Sequence, residues 1–329
     1  MGPMDALSDA LRVFRLNGAV FLDAEFTAPW CVVSDPRGDN RLMAGWPDIV
    51  FFHVLTQGRC RTQLIEGGEV FEMQAGDLIM LPRGNRHLMG SDLRLAPAMA
   101  ATIVKPGKDS MLRIEHGGGG EVTRFVCGYL HCDERLCGQM LDALPRIVRI
   151  PLGNGHATAW LTSLLQVGAQ ETAAPRAGGG TLLAKMAELL FVEALRRYIE
   201  HLPDQQTGWL AGLRDRFVGR ALALMHERPE HDWTVEELAE KVGLSRSSLA
   251  QRFTEFLGQP PMQYLTRWRL TIAAQRLRNE HASLSRIAED CGYDSEAAFN
   301  RAFKRAFATT PAAWRRGERT EKAVPRRDR

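Results

Sequence analysis

No stretch of this 329-residue chain is apolar for eighteen residues in a row, which excludes a helix spanning a membrane. The opening MGPMDALSDALRVF lacks a basic leader, an apolar core and a cleavage site, so export is not expected and the protein is read as cytoplasmic. Cysteine is sparse, six in all, at 31, 60, 127, 132, 137 and 291. None stands in CxxC spacing, and reduced, buried thiols are the plain expectation for a cytosolic chain. A strong charge bias is also missing, since the net charge is only +3. That small figure hides an asymmetry. Residues 1–202 carry 20 Lys+Arg against 22 Asp+Glu, whereas residues 203–329 carry 22 against 17. The C-terminal part therefore leans toward an anionic partner.

The length exceeds one ordinary core, and the patterns divide it. Between 19 and 131, short runs such as VFFHVL (50–55), VFEM (70–73) and DLIML (77–81) sit among Gly, Pro and Asp turn signals and read as strands. Residues 105–121, ending in four glycines, read as a long mobile connection. From 156 the period becomes helical, in HATAWLTSLLQVGAQE and TLLAKMAELLFVEALRRYIEH. The stripe Leu182, Met186, Leu189, Leu190 and Phe191 suits either core packing or a partner helix in a homodimer. A linker at 202–208 precedes an entirely helical segment, and residues 317–329 read as a disordered basic tail.

Two stretches of that helical segment repeat each other. Leu238, Ala239, Glu240 and Gly243 match Ile287, Ala288, Glu289 and Gly292 at an offset of 49. Leu249, Phe253, Pro261 and Tyr264 match Phe299, Phe303, Pro311 and Trp314 at an offset of 50. Each copy spells helix, glycine turn, helix, and Thr234-Val-Glu-Glu237 opens the first with a capping box. This is helix-turn-helix grammar written twice. The connecting helix over 261–280 spans ~30 Å, close to the ~34 Å between successive major-groove faces of B-DNA. One chain can thus present two recognition helices to one side of a duplex.

Residues 214–316, including GYDSEAAFNRAFKRAFATTPAAWRR, resemble the DNA-binding domain of the AraC/XylS family of transcription regulators. The resemblance implies a seven-helix domain, promoter DNA as partner, and activation through contact with RNA polymerase. With Leu249, Phe253, Phe299 and Phe303 facing inward, Arg246, Ser247, Gln251 and Arg252 are left for DNA in the first recognition helix. Ser295, Glu296, Asn300, Arg301 and Lys304 are left in the second. Arg246, Gln251 and Arg301 are the expected base readers, because Arg and Gln make bidentate base contacts. Arg269, Arg276 and Arg278 on the connecting helix are expected to be solvated or to face phosphate.

In the N-terminal half, GDLIMLPRGNRH (76–87) resembles the second motif of the cupin barrel and turns His87 inward. The first motif, FFHVLTQG, offers His53 but has Leu55 where a second histidine belongs. His53, His87 and Glu72 are therefore open to two readings, a metal set or polar groups packed in a barrel with no cofactor. An enzyme needs a ligand set with an open position, whereas a sensor needs only a shaped cavity. The opening MDALSDALRVFRLNG, the FHVL strand, VCGYL (126–130) and LDALPRIVRI (141–150) resemble the cupin-type sensor of one AraC subgroup. A member of that subgroup senses oxidants through cysteines; Cys127 takes the VCG position of that architecture and Cys31 lies displaced in its neighbourhood, but membership does not carry the stimulus with it. The five-residue spacing of Cys127, Cys132 and Cys137 separately leaves Cys132 open to pairing with Cys137, so redox sensing stands beside a small-molecule effector.

The expected fold is α+β in two domains, a cupin-like jelly-roll barrel over 1–150 and an all-α double helix-turn-helix over 214–316. A helical connector over 151–202, with candidate dimerisation helices, joins them. The expected function is an effector-responsive, DNA-binding transcription activator rather than an enzyme.

Overall fold

The computed structural model describes residues 5–14, 16–36, 49–107, 112–151, 163–164, 167–168, 170–171, 174 and 176–321. The tail 322–329 and most of the expected helix 156–171 lie outside the described residues. The chain divides into two compact units, and the division differs from the expected boundaries. The helix Ala6–Phe14 groups with residues from 202 onward, and the other unit runs from 16 to 201.

The 16–201 unit is built on two sheets. The strands are β1 (Asn17–Thr27), β2 (Cys31–Ser34), β3 (Ile49–Gln57), β4 (Arg59–Leu64), β5 (Phe71–Gln74) and β6 (Asp77–Leu81). They continue with β7 (His87–Gly90), β8 (Ala98–Met99), β9 (Lys105–Pro106), β10 (Leu112–Gly117), β11 (Val122–His131) and β12 (Val148–Pro151). One sheet has the order β12-β6-β3-β11-β1-β10-β9, the other β5-β4-β7-β2-β8. Alternation along the strands turns Leu22, Ala24 and Phe26 of β1, Ile79 and Leu81 of β6 and Phe125 and Cys127 of β11 inward. They meet Val32, Cys60, Met73 and Met89 of the facing sheet in one core, a jelly-roll-like sandwich.

The expected mobile connection contains a strand instead. β10 pairs in parallel with β1, Leu112 opposite Leu22 through Gly117 opposite Thr27. Outside the sandwich, the helix Gly179–Glu200 packs on β1. Gly18 permits that contact, because a Cβ there would stand 2.8 Å from Ala187 Cβ. The expected stripe on this helix is split. Met186, Leu190 and Phe191 are buried, whereas Leu182 and Leu189 are 38% and 48% exposed.

Among the described residues, the secondary-structure elements of the other unit are all helices. Over 216–321 it has seven helices, Arg216–Glu227, Val235–Val242, Arg246–Leu257, Pro261–Asn279, Leu284–Asp290, Glu296–Phe307 and Pro311–Glu321. The last of these carries helix through 317–321, where a disordered tail was expected. Helix Ala6–Phe14 packs on Arg216–Glu227 and Pro261–Asn279, burying Ala6, Ala10 and Phe14. The Phe14 ring meets Trp268 edge to face at 6.5 Å. Among the described residues, no helix is long and apolar enough to cross a membrane.

Candidate functional site

The repeat read in the sequence is a repeat of hydrogen bonds. Gly243, at φ 80°, ends the helix Val235–Val242, with Leu244 N–H donating to Ala239 O at 2.9 Å and Gly243 N–H to Glu240 O at 3.1 Å. Forty-nine residues later Gly292, at φ 75°, follows the helix Leu284–Asp290. There Tyr293 N–H donates to Ala288 O at 3.0 Å and Gly292 N–H to Glu289 O at 2.9 Å. Both are Schellman turns, which need a residue tolerant of the left-handed region. Each turn is followed by a serine cap: Ser245 Oγ accepts from Ser248 N–H and Ser295 Oγ from Ala298 N–H, both at 3.2 Å. At the first helix Thr234 Oγ1 accepts from Glu237 N–H at 3.1 Å. The Glu237 carboxylate lies 3.0 Å from His231 Nε2.

The inward anchors repeat equally well. Leu249, Phe253, Phe299 and Phe303 are fully buried. Phe253 meets Tyr264 edge to face at 5.7 Å, and Phe303 meets Trp314 in the same way at 5.7 Å. With those faces committed inward, the opposite faces of Arg246–Leu257 and Glu296–Phe307 are solvated. Arg246, Ser247, Gln251, Glu296, Arg301 and Lys304 are exposed, and Asn300 is half-buried. Ser295 serves as a helix cap. Arg246 Nε rests 2.8 Å from Glu236 Oε1, an exposed pair that competing phosphate can displace.

Arg252 departs from the expected role. Its guanidinium grips Asp215, with Nε 3.0 Å and Nη2 2.5 Å from Oδ2, while Asp215 Oδ1 caps the helix Arg216–Glu227 through Val218 N–H at 2.9 Å. This side chain ties one helix to another. The arginines of the connecting helix are also structural. Arg269 donates to the carbonyls of Pro229, His231 and Gly292 at 2.6, 2.8 and 3.3 Å. Arg276 pairs with Glu280 and Asp290, and Arg278 lies over the Trp314 ring at 4.7 Å. Sequence reasoning missed the exposed Arg305, four residues beyond Arg301 on the same helical face. Its spacing of four from Arg301 was the signal in the sequence that could have found it.

The second site lies between the sheets. Register sets Cys127 of β11 opposite His53 of β3. The facing sheet supplies His87 from β7. His53 Nδ1 is 2.9 Å from Cys127 Sγ, His53 Nε2 is 2.8 Å from His87 Nε2, and His87 Nδ1 is 2.9 Å from Asn85 O. A carbonyl only accepts, so His87 carries its proton on Nδ1 and leaves Nε2 bare. His53 must then donate from Nε2, which leaves its Nδ1 to accept from the Cys127 thiol. The chain of donors has one direction, from thiol to Asn85. Burial holds His53 well below the usual histidine range and His87 at about 4, and it pushes the Cys127 thiol up. All three groups are therefore neutral at pH 7.

This arrangement settles the geometry of the residues proposed for a metal. His53 uses its two nitrogens on opposite edges of the ring, so thiol and second imidazole do not converge on one point. Glu72 is not with them, being exposed on β5 and paired with Arg61 at 3.0 Å. Among the described residues no three His, Cys, Asp or Glu side chains could hold a metal ion. Next to the chain of donors is a cavity of about 210 Å³, lined by Phe26, Phe51, Met89, Leu112, Ile114 and Phe125 together with His53 and Cys127. Of the remaining redox candidates, Cys31 is a free buried thiol on β2, and Cys132 is joined to Cys137 in a disulfide with Cα atoms 6.6 Å apart.

Comparison with known proteins agrees with both halves. Residues 5–200 match the cupin family and residues 238–317 a helix-turn-helix domain. An AraC-like transcription regulator of Streptomyces antibioticus is 34% identical over 317 residues, covering 95% of this chain and 99% of its own. The RCS-specific HTH-type transcriptional activator RclR of Escherichia coli K12 is 29% identical, covering 98% of this chain and 100% of its own. The crystal structure of the AdpA DNA-binding domain with a target DNA covers 34% of this chain and 99% of its own, at 28% identity and a TM-score of 0.32. The chain belongs to the AraC family of DNA-binding transcription regulators, with a cupin domain ahead of its helix-turn-helix pair.

Proposed function

We propose that this regulator lays the helices Arg246–Leu257 and Glu296–Phe307 in two successive major-groove segments of promoter DNA, and that occupancy of the cupin cavity controls the outcome. The duplicated anchor, Phe253 on Tyr264 and Phe303 on Trp314, carries the reading, because it presents two equivalent polar faces. Arg246, Gln251 and Arg301 read bases, while Ser247, Lys304 and Arg305 hold phosphates. Glu296 and Asn300 flank them. The protein acts in the cytoplasm as an activator, with RNA polymerase as the second partner. The exposed Leu182 and Leu189 supply the contact of a homodimer. Footprinting tests the docking: protection of two segments about 10 base pairs apart is expected. Protection of only one would overturn two-groove docking and leave DNA binding intact.

A second reading, control by oxidation, is favoured by the Cys132–Cys137 disulfide, which closes the turn between β11 and the helix Glu134–Asp142. Two thiols lose two electrons and two protons to a peroxide or hypochlorite, forming one S–S bond. Mass spectrometry of these two cysteines before and after oxidant, alongside DNA affinity, tests it. Equal DNA affinity in both redox states would remove this reading.

A further inference from the structure

The cavity between the sheets is selective by what its walls withhold. Three histidine and cysteine side chains stand at or beside it, yet none has a strong hydrogen-bonding position to spare. His53 spends Nδ1 on Cys127 and Nε2 on His87, and the Cys127 proton is spent on His53. What faces the cavity from this corner is an imidazole face and a sulfur lone pair, both weak partners. Among the described lining residues there is no lysine or arginine. The charged group on the lining is the Asp35 carboxylate, which Arg86 Nε already holds at 2.8 Å. Among the described lining residues, an anion would meet one carboxylate and no cation. Apart from the Ser34 hydroxyl, the rest of the wall is aromatic and aliphatic, with Phe26, Phe51, Ile114 and Phe125.

Volume sets the size. Apolar cavities of about 150 Å³ accept benzene, and this one measures about 210 Å³. There is room for one ring with a small substituent, or for an aliphatic chain of similar bulk.

We infer that the effector of this regulator is a small, largely apolar molecule without a negative charge, of the size of a singly substituted benzene, held in the cavity beside His53 and Cys127. This rests on the reading above that the cavity is the effector site. Leu22, Ala24 and Phe26 line the cavity from β1.

The test uses the full chain and two fluorinated probes, with 4-fluorobenzamide as a neutral control for the bulk of the benzoate. Fluorobenzene is neutral and 4-fluorobenzoate carries a carboxylate, and fluorine NMR line broadening reads binding of each. Fluorobenzene is expected to bind at least tenfold tighter, and Ala24→Phe, which fills the cavity, is expected to abolish its broadening. Leu112→Phe supplies a second filled variant, and hydrogen exchange of β1–β12 matching the parent shows that the sheet unit of each variant is folded. Equal or tighter binding of the benzoate would overturn the inference, as would fluorobenzene binding unchanged in both filled variants. Absence of any fluorobenzene binding to a chain that still binds promoter DNA would overturn it too, leaving the DNA reading untouched. Fluorobenzene binding that leaves promoter affinity unchanged would support the ligand class and remove control through the cavity.

Discussion

Arg252 and Asp215 form a two-pronged ion pair that also completes a helix cap, with Asp215 only 7% exposed at its side chain. Loss of the guanidinium would leave a largely buried carboxylate with only its capping N–H donors. Arg252→Ala is therefore expected to destabilise the helical unit by about 1–2 kcal/mol, discounted because Arg252 itself is 43% exposed. Sequence preference at the operator should be unchanged. Chemical denaturation and a binding-site selection experiment check the two halves of this expectation.

Arg301→Ala should do the reverse. Its side chain is exposed on the second recognition helix, so stability is expected to stay within about 0.5 kcal/mol of the parent. Affinity for the cognate site should fall by about 1–3 kcal/mol, with relaxed preference at one base pair. A competition assay against single-base operator variants decides it. Uniform weakening across all variants would make Arg301 a phosphate contact.

Phe14 belongs to the helical unit although it lies near the N-terminus. Its ring is 8% exposed and set against Trp268. Phe14→Ala is expected to lower the stability of the helical unit by about 3 kcal/mol while leaving the sheet unit unaffected. Hydrogen exchange resolved by segment reads both units in one experiment. Faster exchange confined to β1–β12 would contradict the grouping of this helix.

Three buried histidines make the protein acid-sensitive. Burial lowers His53 well below its usual range, His87 to about 4 and His226 to about 3. Because the folded pKa is depressed, the unfolded chain takes up protons first as pH falls through about 6.5. Stability is therefore full above that pH and lost on the way down to the folded values. Between pH 7.5 and 5, His87 and His226 are each expected to cost about 2 kcal/mol. Thermal melts across this range should show the slope, and His226→Gln should flatten the part belonging to the helical unit.

The outward leucines give the assembly prediction. Leu182 and Leu189 are seven residues apart on Gly179–Glu200 and stand on one face, with Lys185 between them also exposed. Changing both leucines to glutamate should shift a dimer toward monomer in sedimentation and weaken paired half-sites more than a single one. Leu190 is the wrong residue for this purpose, because it is 3% exposed and its replacement would damage the core.

Much of the DNA-binding unit is local and was therefore legible. Glycine turns, serine caps and aromatic anchors act over spans of three to fifteen residues, so a repeat in sequence is already a repeat in structure. Strands such as Asp77–Leu81 were legible for the same reason. Long-range pairing was not. Arg252 and Asp215 are 37 residues apart, and nothing in RSSLAQRF distinguishes an arginine that grips a cap from one that faces solvent. His53 and Cys127 are 74 residues apart, and only the antiparallel register of β3 and β11 sets them opposite. The residue types at the cavity were visible in sequence, but whether their nitrogens were free was not. That depended on which side chains the two sheets brought within hydrogen-bond distance, and it turned a candidate metal set into a neutral wall. The helix Ala6–Phe14 shows the same limit: its apolar face was written in the sequence, while the surface that buries it was chosen by packing among helices some 200 residues away.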